Sequence, residues 1–239
     1  ACAFSDLLAA AGITVGSYKS PDSETLAKRE AEQRKEAKKH AAQAKAVWSE
    51  ALPIDGTLAE TYLRGRGITC QLPKSLRFHP HCWHGLTAKR YPAMVAAVQG
   101  NQLAAVHRTY LKTDGSGKAD IEPSKMMLGA TKRAAVRLSE CRKHLVVAEG
   151  IETALSLSSG LLSAPAGVWA ALSTSGMRGL ALPPVAGHLT IASDGEQAGR
   201  EAANALAARA NDLGWQVTLL PAPDGLDWND VLMMKGETV

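Results

Sequence analysis

From residue 144 onward the chain changes rhythm, and that rhythm limits the folds open to it. Short apolar runs over 145–148, 168–172, 189–193 and 216–220 read as strands. Helical stretches over 151–160, 176–181 and 196–212 separate them, and one over 228–234 follows. Strands with no polar face are buried on both sides, which calls for a parallel sheet with helices over both faces. The expected class is α/β, with a four-stranded parallel sheet within 144–239.

Ligands of such sheets bind beyond the carboxyl ends of the strands. Acids stand at three of the four ends: Glu149 in VVAEG, Asp194 and Glu196 in IASDGEQAG, Asp227 and Asp230 in GLDWNDVL. One acid at a strand-to-helix turn is commonly a helix N-cap. Five at neighbouring ends repel one another unless a cation joins them. Mg²⁺ (or Mn²⁺) suits oxygen ligands and keeps positions free for phosphates. All five are therefore candidate metal ligands. No GxGxxG follows the first strand, which argues against a dinucleotide oxidoreductase.

The rest of the chain differs in charge. Residues 51–143 hold fifteen bases and six acids, whereas 144–239 hold four bases and ten acids. A basic half suits a polyanion, so metal-dependent chemistry on nucleic acid or nucleotides is expected. Strand-like runs at 75–79, 93–99, 103–110 and 134–138, with a hairpin turn at Gly100-Asn101, suggest a small α+β subdomain with an antiparallel sheet. A short helix over 57–66 precedes them. Residues 4–12 read as an amphipathic turn and 13–22 as a loop. Residues 23–48 are rich in Ala, Lys, Glu, Gln and Arg, and read as one long, largely solvated helix capped by Asp22 or Ser23. The expected divisions are a helical segment 1–50, a basic subdomain 51–143 and an acid-bearing domain 144–239.

No apolar run approaches the ~20 residues of a membrane span. Cys2, Cys70, Cys82 and Cys141 form no CxxC pair, which fits a reducing cytoplasm better than a disulfide framework. The chain starts at Ala1 rather than Met, as expected of a piece excised from a longer protein. His79-Pro80-His81-Cys82-Trp83-His84 invites a zinc reading, but the spacing is wrong for the common fingers.

Residues 144–232 resemble the Toprim domain of bacterial-type primases, topoisomerases and some nucleases. The resemblance rests on Glu149-Gly150 after the first strand, Asp194-Gly195-Glu196 after the third, and the continuation Gln197-Ala198-Gly199-Arg200. The third-strand pair is usually Asp-x-Asp and here is Asp-x-Glu. Tyr62-Leu63-Arg64-Gly65-Arg66-Gly67-Ile68, Arg108 after an apolar strand, and the segment Pro123-Ser124-Lys125 resemble the cores of DNA primases from phages, plasmids and other mobile elements.

This resemblance implies a Rossmannoid Toprim fold and metal-dependent synthesis of short primers from NTPs on a single-stranded DNA template. It implies Asp194 and Glu196 as metal holders, completed by Asp227 and Asp230, with Glu149 as general base or metal-linked acid. It implies Arg108 and Lys125 as nucleotide contacts and Arg64, Arg66 and Arg77 as DNA contacts. A zinc-binding module and a replicative helicase are the partners implied. A Toprim nuclease would use the same acids to activate water, and a non-catalytic nucleic-acid-binding protein would keep the fold without the chemistry. A topoisomerase fits poorly, because Tyr18, Tyr62, Tyr91 and Tyr110 all precede the Toprim-like region.

Overall fold

The computed structural model describes residues 22–102, 104–140 and 143–236. The readings made for 1–21, including Cys2 and Tyr18, lie outside the described residues, as do those for Leu103 and Cys141. The chain divides into a unit Ala1–Glu36 and a unit Ala37–Val239. Helix α1, Ser23–Glu50, crosses that division. In the first unit, Asp22 caps it by accepting the Thr25 N–H at 2.7 Å, and Lys28 pairs with Glu24 one turn away. In the second unit, Ala41 and Ala44 are buried, so this end of α1 is packed rather than solvated.

The second unit carries two five-stranded sheets. The first is antiparallel, in the order β1 (Leu52–Pro53), β2 (Leu76–His84), β3 (Lys89–Val98), β4 (Ala105–Tyr110) and β5 (Lys125–Gly129). Strand β2 runs past the expected stop at Pro80. The register shifts between His79 and Cys82, and this bulge accommodates a proline that cannot donate to the ladder. Successive side chains point to opposite faces. Val95 and Val106 pack with Ala44, Val47 and Trp48 on one face. Met94, Ala96 and Ala105 join the main core on the other, with Tyr62 and Leu63 of helix α2, Leu58–Gly65.

The second sheet has five strands rather than four. Four are parallel: β7 (His144–Ala148), β8 (Gly167–Ala170), β9 (His188–Ser193) and β10 (Gln216–Pro221). The fifth, β6 (Val136–Arg137), comes from the basic half and pairs antiparallel with β8 at the edge. Helices α3 (Ile151–Ser156), α4 (Thr174–Gly179), α5 (Gln197–Asp212) and α6 (Trp228–Gly236) complete the fold. The helix expected over 151–160 changes to a π-helical turn after Ser156, and Gly160 there has φ 107°. The main core joins Val98 and Ala105 of the first sheet to Val146, Ala148 and Ala192 of the second. Among the described residues no helix is long and apolar enough to cross a membrane.

Candidate active site

The expected acids follow three of the parallel strands. Glu149 follows β7, with its carbonyl accepting Leu172 N–H at 2.7 Å from the turn after β8. Leu172 holds φ 73°, a conformation costly for a branched side chain, so this turn is over-determined by its surroundings. Asp194 and Glu196 follow β9 on either side of Gly195. A Cβ at Gly195 would lie 1.9 Å from the Pro223 carbonyl oxygen, so only glycine lets the two acid-bearing loops close on each other. The Gly195 N–H donates to Leu226 O at 2.8 Å, and Arg200 reaches the Gly195 and Ala222 carbonyls and the Asp224 carboxylate. Arg200 thus ties the β9 loop to the loop that carries Asp227.

Asp227 and Asp230 form a reciprocal cap on α6. Asp227 Oδ1 accepts the Asn229 and Asp230 N–H groups at 2.7 and 2.9 Å, and Asp230 Oδ2 accepts the Asp227 N–H at 2.9 Å. Each therefore has one oxygen engaged in holding the helix start. Asn229 is 1% exposed and links α6 to Arg66 O and to Ser156 Oγ.

The charges converge on Asp194. Burial, then Glu149, Asp227 and Glu196, push its carboxyl up to about 7. Glu149 is raised too, by burial and then by Glu196. Asp194 Oδ1 is buried with no hydrogen-bond partner. A buried acceptor crowded by carboxylates calls for a cation, and the all-oxygen donor set suits a hard divalent ion. Asp194, Glu149 and Glu196, with the remaining oxygen of Asp227, therefore have donor chemistry that suits Mg²⁺ or Mn²⁺, whereas Asp230 is placed only by its cap with Asp227. Among the described residues no three His, Cys, Asp or Glu side chains are arranged to hold a metal.

Opposite the acids stands a basic group. Lys125 on β5 pairs with Thr109 across the ladder and faces the acids. Its Nζ lies 3.0 Å from Glu152 Oε2, and its charge is felt at Asp194 and Glu149. Glu152 on α3 is 5% exposed and also accepts the Tyr62 hydroxyl at 2.8 Å. Burial pushes the Glu152 carboxyl up, but Lys125, Lys118 and the Tyr62 hydroxyl prevail and hold it at about 2. Burial and the nearby Glu152 charge push the Tyr62 hydroxyl well above its ordinary range. Burial holds neighbouring His107 neutral, with its pKa down to about 4.

The other basic candidates separate. Arg66 belongs to the group: its charge reaches Tyr62 and Lys118, and its Nε is buried without a partner. Arg64 sits against Glu60 and donates to the Ile68 and Cys70 carbonyls. Arg108 and Arg77 both pair with Val95 across the ladder, which puts them on the α1-covered face of the first sheet, away from Lys125. Arg108, 6% exposed, donates to the Trp83 and Met127 carbonyls. Arg77 lies 4.3 Å over the Trp48 ring and donates to Trp48 O. Strand register thus places Arg108 and Lys125, both expected as nucleotide contacts, on opposite faces of the first sheet.

The histidine-rich strand is engaged locally. His79 bonds Glu50, His84 bonds Thr87 and the Pro123 carbonyl, and Cys82 is buried among Ala93 and Tyr110. Sequence reasoning missed Glu152, Lys118, Arg200 and Asn229. No sequence signal marks Glu152: its burial, shared by every residue of IETALS, comes from packing.

Residues 144–238 match the model of the Toprim domain, and residues 38–138 match that of a domain of unknown function, DUF7146. No curated protein sequence matches the chain. Among solved structures, the zinc-binding and RNA polymerase domains of the Aquifex aeolicus primase superpose with a TM-score of 0.50 at 14% identity, over 84% of this chain and 59% of that one. A DNA primase domain from Pseudomonas aeruginosa gives 0.48 at 18% identity, over 82% and 75%. The RNA polymerase domain of the Mycobacterium tuberculosis primase gives 0.48 at 18%, over 86% and 81%. Residues 144–238 thus resemble a Toprim domain, and the fold of the chain is similar to that of the Aquifex aeolicus zinc-binding and RNA polymerase domains.

Proposed function

We propose that the chain is the catalytic core of a DNA primase, a nucleotidyltransferase that makes short primers from nucleoside triphosphates on single-stranded DNA. The observation that carries this reading is the partnerless, carboxylate-crowded Asp194 facing the basic group of Lys125, Lys118 and Arg66. An acid cluster alone would serve hydrolysis equally well. Facing cations give a triphosphate and a template phosphate somewhere to bind.

In this reading a primer 3′-hydroxyl attacks an α-phosphate, a P–O bond forms, and pyrophosphate leaves. A divalent ion, when bound, supplies charge neutralisation on the triphosphate oxygens. Asp194 and Glu196 hold it, with Asp227 and Asp230. Lys125 and Lys118 bind phosphate oxygens and orient the triphosphate. Glu149, whose raised carboxyl favours holding a proton, accepts the hydroxyl proton. Arg66 and the half-exposed Arg64 bind the template backbone. The surrounding system is replication of a phage, plasmid or other mobile element in the cytoplasm, with a zinc-binding module and a helicase as partners.

The test is one gel. Wild type, Glu149→Gln and Asp194→Asn are incubated with mixed-sequence single-stranded DNA, labelled ribonucleotides and Mg²⁺ or Mn²⁺. New short oligonucleotides lost in both variants support the primase. Template cleavage without synthesis, lost in the same variants, replaces it with a Toprim nuclease.

A further inference from the structure

A cleft of about 850 Å³ opens at the β6 edge of the parallel sheet, and none of the acids lines it. Its walls include Lys74, Ser75, Arg133, Arg137 and Trp169, with Glu140 as the one acid among the described lining residues. Its character comes from donors without acceptors. Trp169 is 4% exposed, and its indole N–H is buried without a partner. The Ser75 hydroxyl is likewise buried and unpaired. Lys74, Arg133 and Arg137 form no ion pair among the described residues. The Arg137 guanidinium lies 4.5 Å over the Trp169 ring, which holds it flat and leaves its N–H edges free to donate.

Buried donors normally find acceptors. Three cations, two orphaned donors and an aromatic wall call for an anionic, acceptor-rich ligand with a planar part. The volume falls in the range of small-molecule sites.

We propose that this cleft is a second nucleotide-binding site, separate from the acid cluster. It takes one nucleotide unit: phosphate on Arg133, Arg137 and Lys74, and base against the Trp169–Arg137 stack. The unit is either a free nucleoside triphosphate or one link of a single-stranded DNA chain.

The test measures binding alone, so it stands apart from primer synthesis. A fluorescein-labelled (dT)₁₂ and, separately, ATP are titrated into the full chain and into Arg133→Gln/Arg137→Gln, both side chains being exposed and Arg137 stacked on Trp169. If the chain link is the ligand, oligonucleotide binding weakens on the order of tenfold and its log–log salt slope falls by about 0.7, the share of one single-strand phosphate. If the free nucleotide is the ligand, ATP binding weakens instead. Tryptophan quenching by the bound ligand is reduced in Trp169→Phe, which keeps an aromatic wall. Unchanged binding of both ligands in the double variant overturns the site, as does full quenching in Trp169→Phe.

Discussion

Lys125 Nζ stands 3.0 Å from Glu152 Oε2, and this ion pair joins an edge strand of the antiparallel sheet to the first helix after β7. The pair is lopsided: the Glu152 side chain is 6% exposed and the Lys125 side chain 36%. Removing the lysine therefore leaves a buried carboxylate, whereas removing the glutamate frees a lysine that can reach water.

Lys125→Met should lower stability by about 3 kcal/mol, the usual cost of leaving a buried charge uncompensated. Lys125→Met/Glu152→Gln should recover part of it, because the buried group is then neutral. Urea midpoints decide this. A single variant as stable as wild type would show that Lys118 and Tyr62 suffice.

Glu152 also predicts an acid limb. Its folded carboxyl is held at about 2, below the ordinary value of 4.5. A depressed acid contributes stability above its unfolded value and loses it as pH falls toward the folded one. Unfolding free energy should decline between pH 4.5 and 2, and the decline should flatten in Glu152→Gln. An equally steep decline in that variant would assign the acid limb elsewhere.

Asp194 has the opposite sign. Its carboxyl is raised from 3.8 to about 7, so its contribution is fullest below pH 4 and is lost as pH rises through 7. In chelator, thermal stability should fall across that window for wild type and not for Asp194→Asn. At pH 8, Mg²⁺ should raise the wild-type Tm and leave that of the variant unchanged. Equal Mg²⁺ shifts would remove Asp194 from the metal set.

Gly195→Ala places a methyl group where the Pro223 carbonyl oxygen stands 1.9 Å away. Relief requires the Asp194 and Asp227 loops to part, at about 1–3 kcal/mol for the overpacking. Primer synthesis and the Mg²⁺-induced Tm shift should both fall. Wild-type values for the two together would show that the loops separate without consequence.

The parallel strands were legible because buried strands write continuous apolar runs, and the acids were legible because they fall where such strands end. Strand β5 was not, since Lys125-Met126-Met127-Leu128-Gly129 shows no alternation of period two. The reach of β2 past Pro80 was hidden because a proline ordinarily stops a ladder and a bulge here admits it. Arg108 looked like a neighbour of Lys125 because sequence order says nothing about which face a strand residue takes. Glu152 was passed over because an acid in the first turn of a helix is ordinarily a solvated partner of the helix dipole. Only the packing of α3 under Tyr62 and Lys125 reveals that it is buried.

The two-residue strand β6 belongs by sequence to the basic half and by hydrogen bonding to the acidic one. Anyone dissecting the protein meets this at once. A fragment starting at residue 144 would carry all five candidate metal ligands, yet it would leave β8 with bare backbone donors and acceptors along one side, an invitation to self-association. The complementary fragment would lose the apolar partners of Val98 and Ala105. The smallest piece that keeps its chemistry and stays soluble should therefore begin upstream of the antiparallel sheet and run without interruption through α6.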